Sequence, residues 1–263
     1  MITSVTNQRV KNIALLRQKS KARNEQDVFI VEGEKMFLEV PEDRICEFYT
    51  VINAGFSPAV MEKISKLNDV FHEEVSEEVF AKMSDTKTPQ GILCVVKQYH
   101  YELDRLLEKE KPFLVILENL QDPGNLGTIM RTAEGAGVDA VIMSKETVDI
   151  YNPKTIRATM GSVYRVPFVY VEDIVELIHY LYRRNIHTYA AHLKGENDYT
   201  EEDYTSGAAF LIGNEGNGLT DACSDAAEKY IKIPMLGKLE SLNAGVAAAL
   251  LMYETLRQRR DKQ

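Results

Sequence analysis

A chain of 263 residues with 40 acidic and 31 basic side chains, net charge −9, lacks the overall positive charge of a protein that wraps nucleic acid. Any contact with a polyanion must therefore use a local basic patch. With 44% hydrophobic and 27% charged residues the composition is that of an ordinary soluble globular protein, and roughly 150 residues per domain predicts two domains. Cys46, Cys94 and Cys223 are widely spaced and form neither a disulfide framework nor a zinc motif; free thiols suit a reducing cytosol. The five histidines lack ligand spacing, so no metal is expected. The N-terminus carries no signal h-region, and the apolar run at residues 244–253 falls short of the roughly 20 residues of a membrane span. The expected location is the cytoplasm, with no membrane partner.

Residues 1–24 hold Arg9, Lys11, Arg17, Lys19, Lys21 and Arg23 and no acid. A helix over residues 7–22 would place Val10, Ile13, Ala14 and Leu16 on one side. In an acidic chain such a helix reads either as a solvated face or as a phosphate-contact footprint. A strand at 28–31 ends at Glu32-Gly33-Glu34 and leads into a helix through Met36, Phe37 and Leu38. A strand at 48–52, a helix at 58–67, a segment with Val75, Val79, Phe80 and Met83, a loop at 85–91 and a strand at 92–96 follow. These complete a small α/β domain, residues 1–97. Residues 98–111 are rich in charge, with one or two amphipathic turns (Leu103, Leu106, Leu107), and are expected to form a linker.

The second domain, residues 112–263, opens with Phe113-Leu114-Val115-Ile116-Leu117. A continuous apolar run of this length fits a strand covered on both faces of a parallel sheet. A loop at 121–125 leads into a helix at 126–136, closed by Gly137. A strand at 140–143, a segment at 152–161, a strand at 165–170, a helix at 174–184 and strands at 188–191 and 208–212 come next. Alternation of strand and helix predicts an α/β architecture with a mostly parallel sheet. A short strand at Ile231 and Ile233 then stops at Pro234. Beyond Gly237 lies a helix of small and apolar residues for which Ser241 is the expected N-cap. So many small side chains fit a helix packed on more than one side, whereas Asn243 at its mouth is costly unless it has partners.

Two glycine-rich loops follow strands, where open α/β sheets bind ligands. The first, residues 122–128, opens a helix whose free N–H groups favour an anion. The second is Gly213-Asn214-Glu215-Gly216-Asn217-Gly218. Neither matches the dinucleotide fingerprint or the P-loop, and each alone also reads as a plain turn. Arg131 lies about one and a half turns beyond Asn125, and it serves either a site or a surface pair with Glu134 at i+3. Glu215 reads equally as a solvated turn residue.

Taken together, DPGNLGTIMRTAEGAG, IGNEGNGL and IPMLGKLESLNAGVAAALLMYE, in that order and spacing, resemble the three motifs of the SpoU-type (TrmH-like) branch of the SPOUT RNA methyltransferases. RATMGSVYRVPF resembles the family segment between the first two. FIVEGEK and TPQGI resemble the small RNA-substrate-binding domain, akin to a ribosomal-protein fold, that family members carry. The resemblance covers the whole chain. One departure is mild: Ala244 and Gly245 stand where family members often have a larger or hydroxylated residue.

The resemblance implies a C-terminal domain with a deep trefoil knot, an exception to the rule that chains do not thread loops. It implies S-adenosylmethionine bound bent within the knot, largely through backbone groups, in a homodimer that methylates ribose 2′-hydroxyls. By motif, the cofactor pocket would be lined by Leu211, Ile212, Gly213, Gly218, Ile233, Met235, Leu242 and Asn243. The catalytic set would be Asn125, Arg131, Glu215 and Asn243, with Ser241 beside it and the arginine across the dimer interface from the cofactor. The N-terminal domain points to ribosomal RNA as substrate. Methylation of transfer RNA and a catalytically silent RNA-binding protein are the alternatives, and retention of the catalytic set argues against the second.

Overall fold

The computed structural model describes residues 1–193, 195, 197–239 and 241–261. In chain order the elements begin with α1 (Gln8–Gln18), α2 (Ser20–Gln26), β1 (Val28–Glu32), α3 (Glu34–Glu39), β2 (Ile45–Val51), α4 (Pro58–Lys66), β3 (Phe71–Val75), α5 (Glu77–Met83) and β4 (Ile92–Lys97). Then come α6 (Leu103–Leu106), β5 (Phe113–Leu117), α7 (Pro123–Ala136), β6 (Ala140–Ser144), α8 (Pro153–Thr159), β7 (Phe168–Val171) and α9 (Ile174–Arg183). The chain closes with β8 (His187–Ala191), β9 (Asn197–Asp198), β10 (Ala208–Ile212), α10 (Asp221–Ala226), β11 (Lys229–Lys232) and α11 (Ala244–Asp261). The chain forms two compact units: residues 1–99 with 149–164, and residues 100–148 with 165–263.

The first unit is a four-stranded sheet of order β1-β4-β2-β3, in which β4 runs antiparallel to both neighbours. The apolar side of α1 (Val10, Ile13, Leu16) and that of α5 (Val79, Phe80, Met83) bury against Ile30, Tyr49, Leu93 and Val95. The helix expected over 7–22 is two helices, because Lys19 adopts an extended backbone between them. Residues 149–164, read from sequence as part of the 112–263 domain, pack in this unit instead: α8 lies on β1. Arg23, only 3% exposed, forms an ion pair with Asp149.

The second unit is a seven-stranded parallel sheet of order β7-β6-β5-β10-β8-β11-β9. Every residue of β5, β6 and β10 is buried, as the unbroken apolar sequences of β5 and β10 and the apolar Ala140–Met143 of β6 require. α9 buries Ile174, Leu177, Ile178 and Leu181, a helical 3-1-3 spacing, in one core with Leu114, Ile116 and Ile142. α11 packs along α7 and against β10. The β7 strand starts at Phe168 rather than at Arg165 as expected: Pro167, which has no N–H for a ladder, immediately precedes it, and the Arg165 side chain pairs with Glu134. β11 lies between β8 and β9, two strands joined by residues 192–196 that precede it in the chain. Among the described residues no helix is long and apolar enough to cross a membrane.

The start of α11 corrects the sequence reading. Ser241 lies outside the helix, and Asn243 caps it: Oδ1 accepts the N–H groups of Gly245 and Val246 at 2.9 and 3.3 Å. As expected, the helix packs on more than one side, against α7 and β10, and its remaining face is open. Val246 and Tyr253 are about half exposed, at 49% and 52%.

Candidate active site

The parallel strands deliver their loops to one edge of the sheet, and the two glycine-rich loops meet there. Asp122 caps α7, its Oδ1 accepting Asn125 N–H at 2.8 Å, with Pro123 in the first helical turn where its missing N–H costs nothing. This presents the N–H groups of Gln121 and Asp122 to the second loop. Both donate to the Glu215 carboxylate, at 3.0 and 2.9 Å, and Asn125 Nδ2 donates to Glu215 Oε1 at 2.9 Å. Partial burial pushes the Glu215 carboxyl up, but these hydrogen bonds outweigh it and hold the group below the usual glutamate range. Glu215, although exposed in a turn, is thus held in place as the anion at the start of α7.

Asn243 completes the set. Its Nδ2 donates to Asn125 Oδ1 at 2.8 Å, so the backbone N–H groups of α11, Asn243, Asn125 and Glu215 form one directional chain. The starts of α7 and α11 are tied at this point, where Gly245 faces Thr128, and a Cβ at Gly245 would lie 3.3 Å from the Thr128 methyl carbon. Ser241 is exposed and lines the adjoining cavity. Arg131 is exposed on α7, and among the described residues it has no ion pair or hydrogen bond. Its expected surface partner Glu134 is engaged by Arg165, with Nη2 to Oε2 at 3.2 Å.

Beside this chain is a cavity of about 310 Å³. Of the residues the motifs put in the pocket, Ile212, Gly213, Gly218, Ile233, Met235 and Leu242 line it. Leu211 does not: in a strand covered on both faces its side chain is buried in the core with Leu114 and Ile116. Asn243 also stands outside the lining, engaged with Asn125 and the helix start. Sequence reasoning missed His192, Leu193, Asn214 and Ala247, which also line the cavity. For the first two, the tail of β8 carries no motif. Asn214 was legible as a turn residue, and its Oδ1 accepts Gly216 and Asn217 N–H at 2.9 and 3.1 Å. Gly213 is obligatory, because a Cβ there would overlap the backbone of Gly218 and Leu219. The resulting wall is largely backbone, closed by Asn214–Gly218 hydrogen bonds in both directions at 3.0 and 2.9 Å.

Volume and lining fit S-adenosylmethionine. The cavity falls in the range of small-molecule pockets, and Ile233, Met235 and Leu242 supply apolar walls while loop backbone supplies donors and acceptors.

The basic residues of the first unit separate into two groups. Arg23 is corrected out of the phosphate-contact set, since it is buried with Asp149 and also donates to Leu16 O at 2.6 Å. Arg17 turns onto the carbonyls of Lys82 and Ser84, and Arg9 pairs with Glu47 at 2.5 Å and lies over the Phe71 ring. Lys11, Lys19 and Lys21 are exposed.

A parallel α/β domain with a backbone-walled cavity at its strand ends is the architecture of the SPOUT class of RNA methyltransferases. The chain belongs to the SpoU rRNA methylase family, whose profile matches residues 112–253, while residues 7–94 match the MRM3-like substrate binding domain. It is 32% identical to the 23S rRNA (guanosine(2553)-2′-O)-methyltransferase RlmP of Bacillus subtilis (strain 168), over 96% of this chain and 97% of that protein. The crystal structure of the SpoU methyltransferase AviRb from Streptomyces viridochromogenes with AdoMet superposes with a TM-score of 0.88, at 26% identity, over 97% of this chain and 98% of that one. An AdoMet-bound rRNA methyltransferase from Sinorhizobium meliloti gives 0.86 at 31% identity, over 97% of each chain.

Proposed function

We propose that this protein methylates a ribose 2′-oxygen of ribosomal RNA, 23S RNA in the first instance, as a cytoplasmic homodimer with a trefoil-knotted C-terminal domain. Family membership makes the chain an S-adenosylmethionine-dependent RNA (ribose-2′-O)-methyltransferase. The observation that carries the reading is the chain Glu215–Asn125–Asn243 at two helix starts, against a cavity that fits the cofactor. Ribosomal RNA is favoured over transfer RNA by the match of residues 7–94 to a substrate binding domain and by the near full-length likeness to RlmP.

When bound, S-adenosylmethionine supplies an electrophilic methyl group on a cationic sulfur. The protein's part is to position a 2′-oxygen in line with that methyl and to stabilise the charge the oxygen develops. Arg131 is suited to the second task. A guanidinium is a planar cation that carries donors only, so it grips the neighbouring phosphate and stabilises an alkoxide rather than removing a proton. Asn125, Glu215 and Asn243 hold the helix starts and the cavity loop in register, and Ser241 stands at the cavity edge. Lys11, Lys19 and Lys21 are the residues proposed to contact RNA phosphates, with Arg9 held by Glu47 until RNA competes for it.

The knot reading is supported by β11 lying between β8 and β9, two strands that both precede it in the chain. The homodimer reading is supported by the exposed apolar strip of α11, where Val246, Ala249, Leu250 and Tyr253 border a shallow groove with Tyr199. Arg131, exposed on α7 and with no side-chain ion pair among the described residues, fits an arginine that serves the other subunit's cofactor. The test is to map 2′-O-methylation on ribosomal RNA from a deletion strain and its parent. A ribose methylated only in the parent, and restored by the purified protein with S-adenosylmethionine, is expected. Identical maps would overturn the ribosomal assignment.

A further inference from the structure

Glu118 follows directly on β5 and is 6% exposed. A carboxyl side chain so placed is costly unless hydrogen-bonded. Three donors meet it: Thr220 N–H at 2.8 Å, Thr220 Oγ1 at 2.7 Å and Cys223 Sγ at 2.7 Å. Burial, followed by the Glu118 hydrogen bond, pushes the Cys223 thiol up to about 12, so it stays protonated and donates. The Glu118 N–H donates to Ile212 O at 2.9 Å, extending the ladder between β5 and β10.

Thr220 ends the segment that begins at Gly213, and it also caps α10 by accepting Cys223 N–H at 3.2 Å. The near end of the same segment is held by Asn214 Nδ2, which donates to Asn119 O at 2.8 Å. Asn119 presents that carbonyl from a left-handed backbone at φ 55°. The cavity wall is therefore pinned at both ends by residues that follow β5. It reciprocates through Glu215, which holds the start of α7. Two carboxylates, one from each loop, brace the loops against each other.

We propose that Glu118 is a positioning residue for methyl transfer, fixing Thr220 so that the 213–220 segment stands as the cavity wall and Glu215 reaches Asn125. This rests on the methyltransferase reading of the site. Glu118 touches neither the cavity nor the reacting atoms. Without its anchor, a segment containing Gly216 and Gly218 regains the wide conformational freedom of glycine, and ordering it again weakens binding.

The test compares Glu118→Gln, Glu118→Ala, Thr220→Val and Thr220→Ser in the full chain. The readouts are titration with S-adenosylmethionine, single-turnover methylation of ribosomal RNA at saturating cofactor, and thermal melting. Glu118→Ala should weaken cofactor binding about tenfold and slow the saturated step by up to about a hundredfold, the scale of a misplacement of about 1 Å. Glu118→Gln and Thr220→Val, each keeping part of the bonding, should fall between Ala and the parent. Thr220→Ser keeps both donors and should match the parent. If Glu118→Ala does not fold, the Gln and Val variants decide. Folded variants with lower melting points but parental cofactor affinity and saturated rate would overturn the proposal, leaving Glu118 a stabilising residue only. A parent protein that binds no cofactor would overturn the methyltransferase reading itself and this proposal with it.

Discussion

Asn243 Nδ2 donates to Asn125 Oδ1 at 2.8 Å, and this bond fixes which way both amides face. Asn243 Oδ1 is committed to the N–H groups of α11, so its nitrogen must point to Asn125. Asn125 then accepts with its oxygen and offers its nitrogen to a carboxylate that can only accept. Neither asparagine can turn over without two acceptors or two donors facing each other.

Asn243→Asp is therefore expected to separate stability from activity. The carboxylate keeps the cap and suits the positive end of α11, which offsets the second acceptor it sets against Asn125 Oδ1, so the melting temperature should stay near the parent's. The donor to Asn125 is lost, and single-turnover methylation should fall by about a hundredfold. Asn243→Ala should lose activity and also about 1 kcal/mol of stability. Melting curves and rates measured side by side decide this, and an Asp variant with parental rates would detach the amide chain from catalysis.

Glu215 sets a pH dependence. Its carboxyl is held below the usual glutamate range, so the folded state favours its ionised form more than the unfolded state does. Its contribution to stability is fully present above the unfolded value of about 4.3 and is lost as pH falls through the depressed folded value. Urea unfolding of the parent and Glu215→Gln should differ most at neutral pH and converge in acid. A difference constant with pH would show that the ionised form is not what the three donors stabilise.

Gly213→Ala should abolish cofactor binding. The added methyl would overlap the Gly218 and Leu219 backbone, so the cavity wall cannot close. Isothermal titration checks this, with Gly237→Ala, where nothing lies near the added Cβ, as the control that stays parental.

Arg131→Ala should leave fold and cofactor affinity within about 0.5 kcal/mol of the parent, as for an exposed side chain without partners. Methyl transfer should be lost, mainly in the chemical step. Arg131→Lys should also be badly impaired, because an ammonium cannot copy bidentate contact with a phosphate. Single-turnover assays that found either variant active would return Arg131 to the surface.

The basic helices should divide in the same way. Replacing Lys11, Lys19 and Lys21 by Ala should weaken RNA binding and flatten its salt slope by roughly 0.7 to 0.9 for each phosphate no longer neutralised, with cofactor binding unchanged. Arg23→Ala should instead cost about 3–5 kcal/mol, since it leaves Asp149 without its ion-pair partner in a largely buried setting. Salt-dependent binding curves and melting temperatures separate the two groups.

Most of the elements were legible along the chain because their signals are local. Unbroken apolar runs at 113–117 and 208–212 became central strands, and Gly137 closes α7 in the left-handed conformation. The three motifs placed Asn125, Glu215 and Asn243 in one site, and the structure does bring these side chains into one hydrogen-bonded chain. Which residue caps α11 was not legible. Ser241 and Asn243 are both good caps, and Asn243 does so while also meeting Asn125, a residue 118 positions away in sequence.

Strand and helix order, the family and the polar residues that meet at the two helix starts could be read along the chain, because each depends on residue type and near neighbours. Which basic residues are exposed could not. Arg23 and Lys21 are indistinguishable by composition and spacing, yet one is buried against Asp149 and the other lies in solvent. Tertiary structure decided this, and also that residues 149–164 pack in the first unit and that Glu118 meets Thr220 and Cys223. A buried carboxyl is stable only where folding brings distant donors to it, and no local pattern in the chain records where those donors will be.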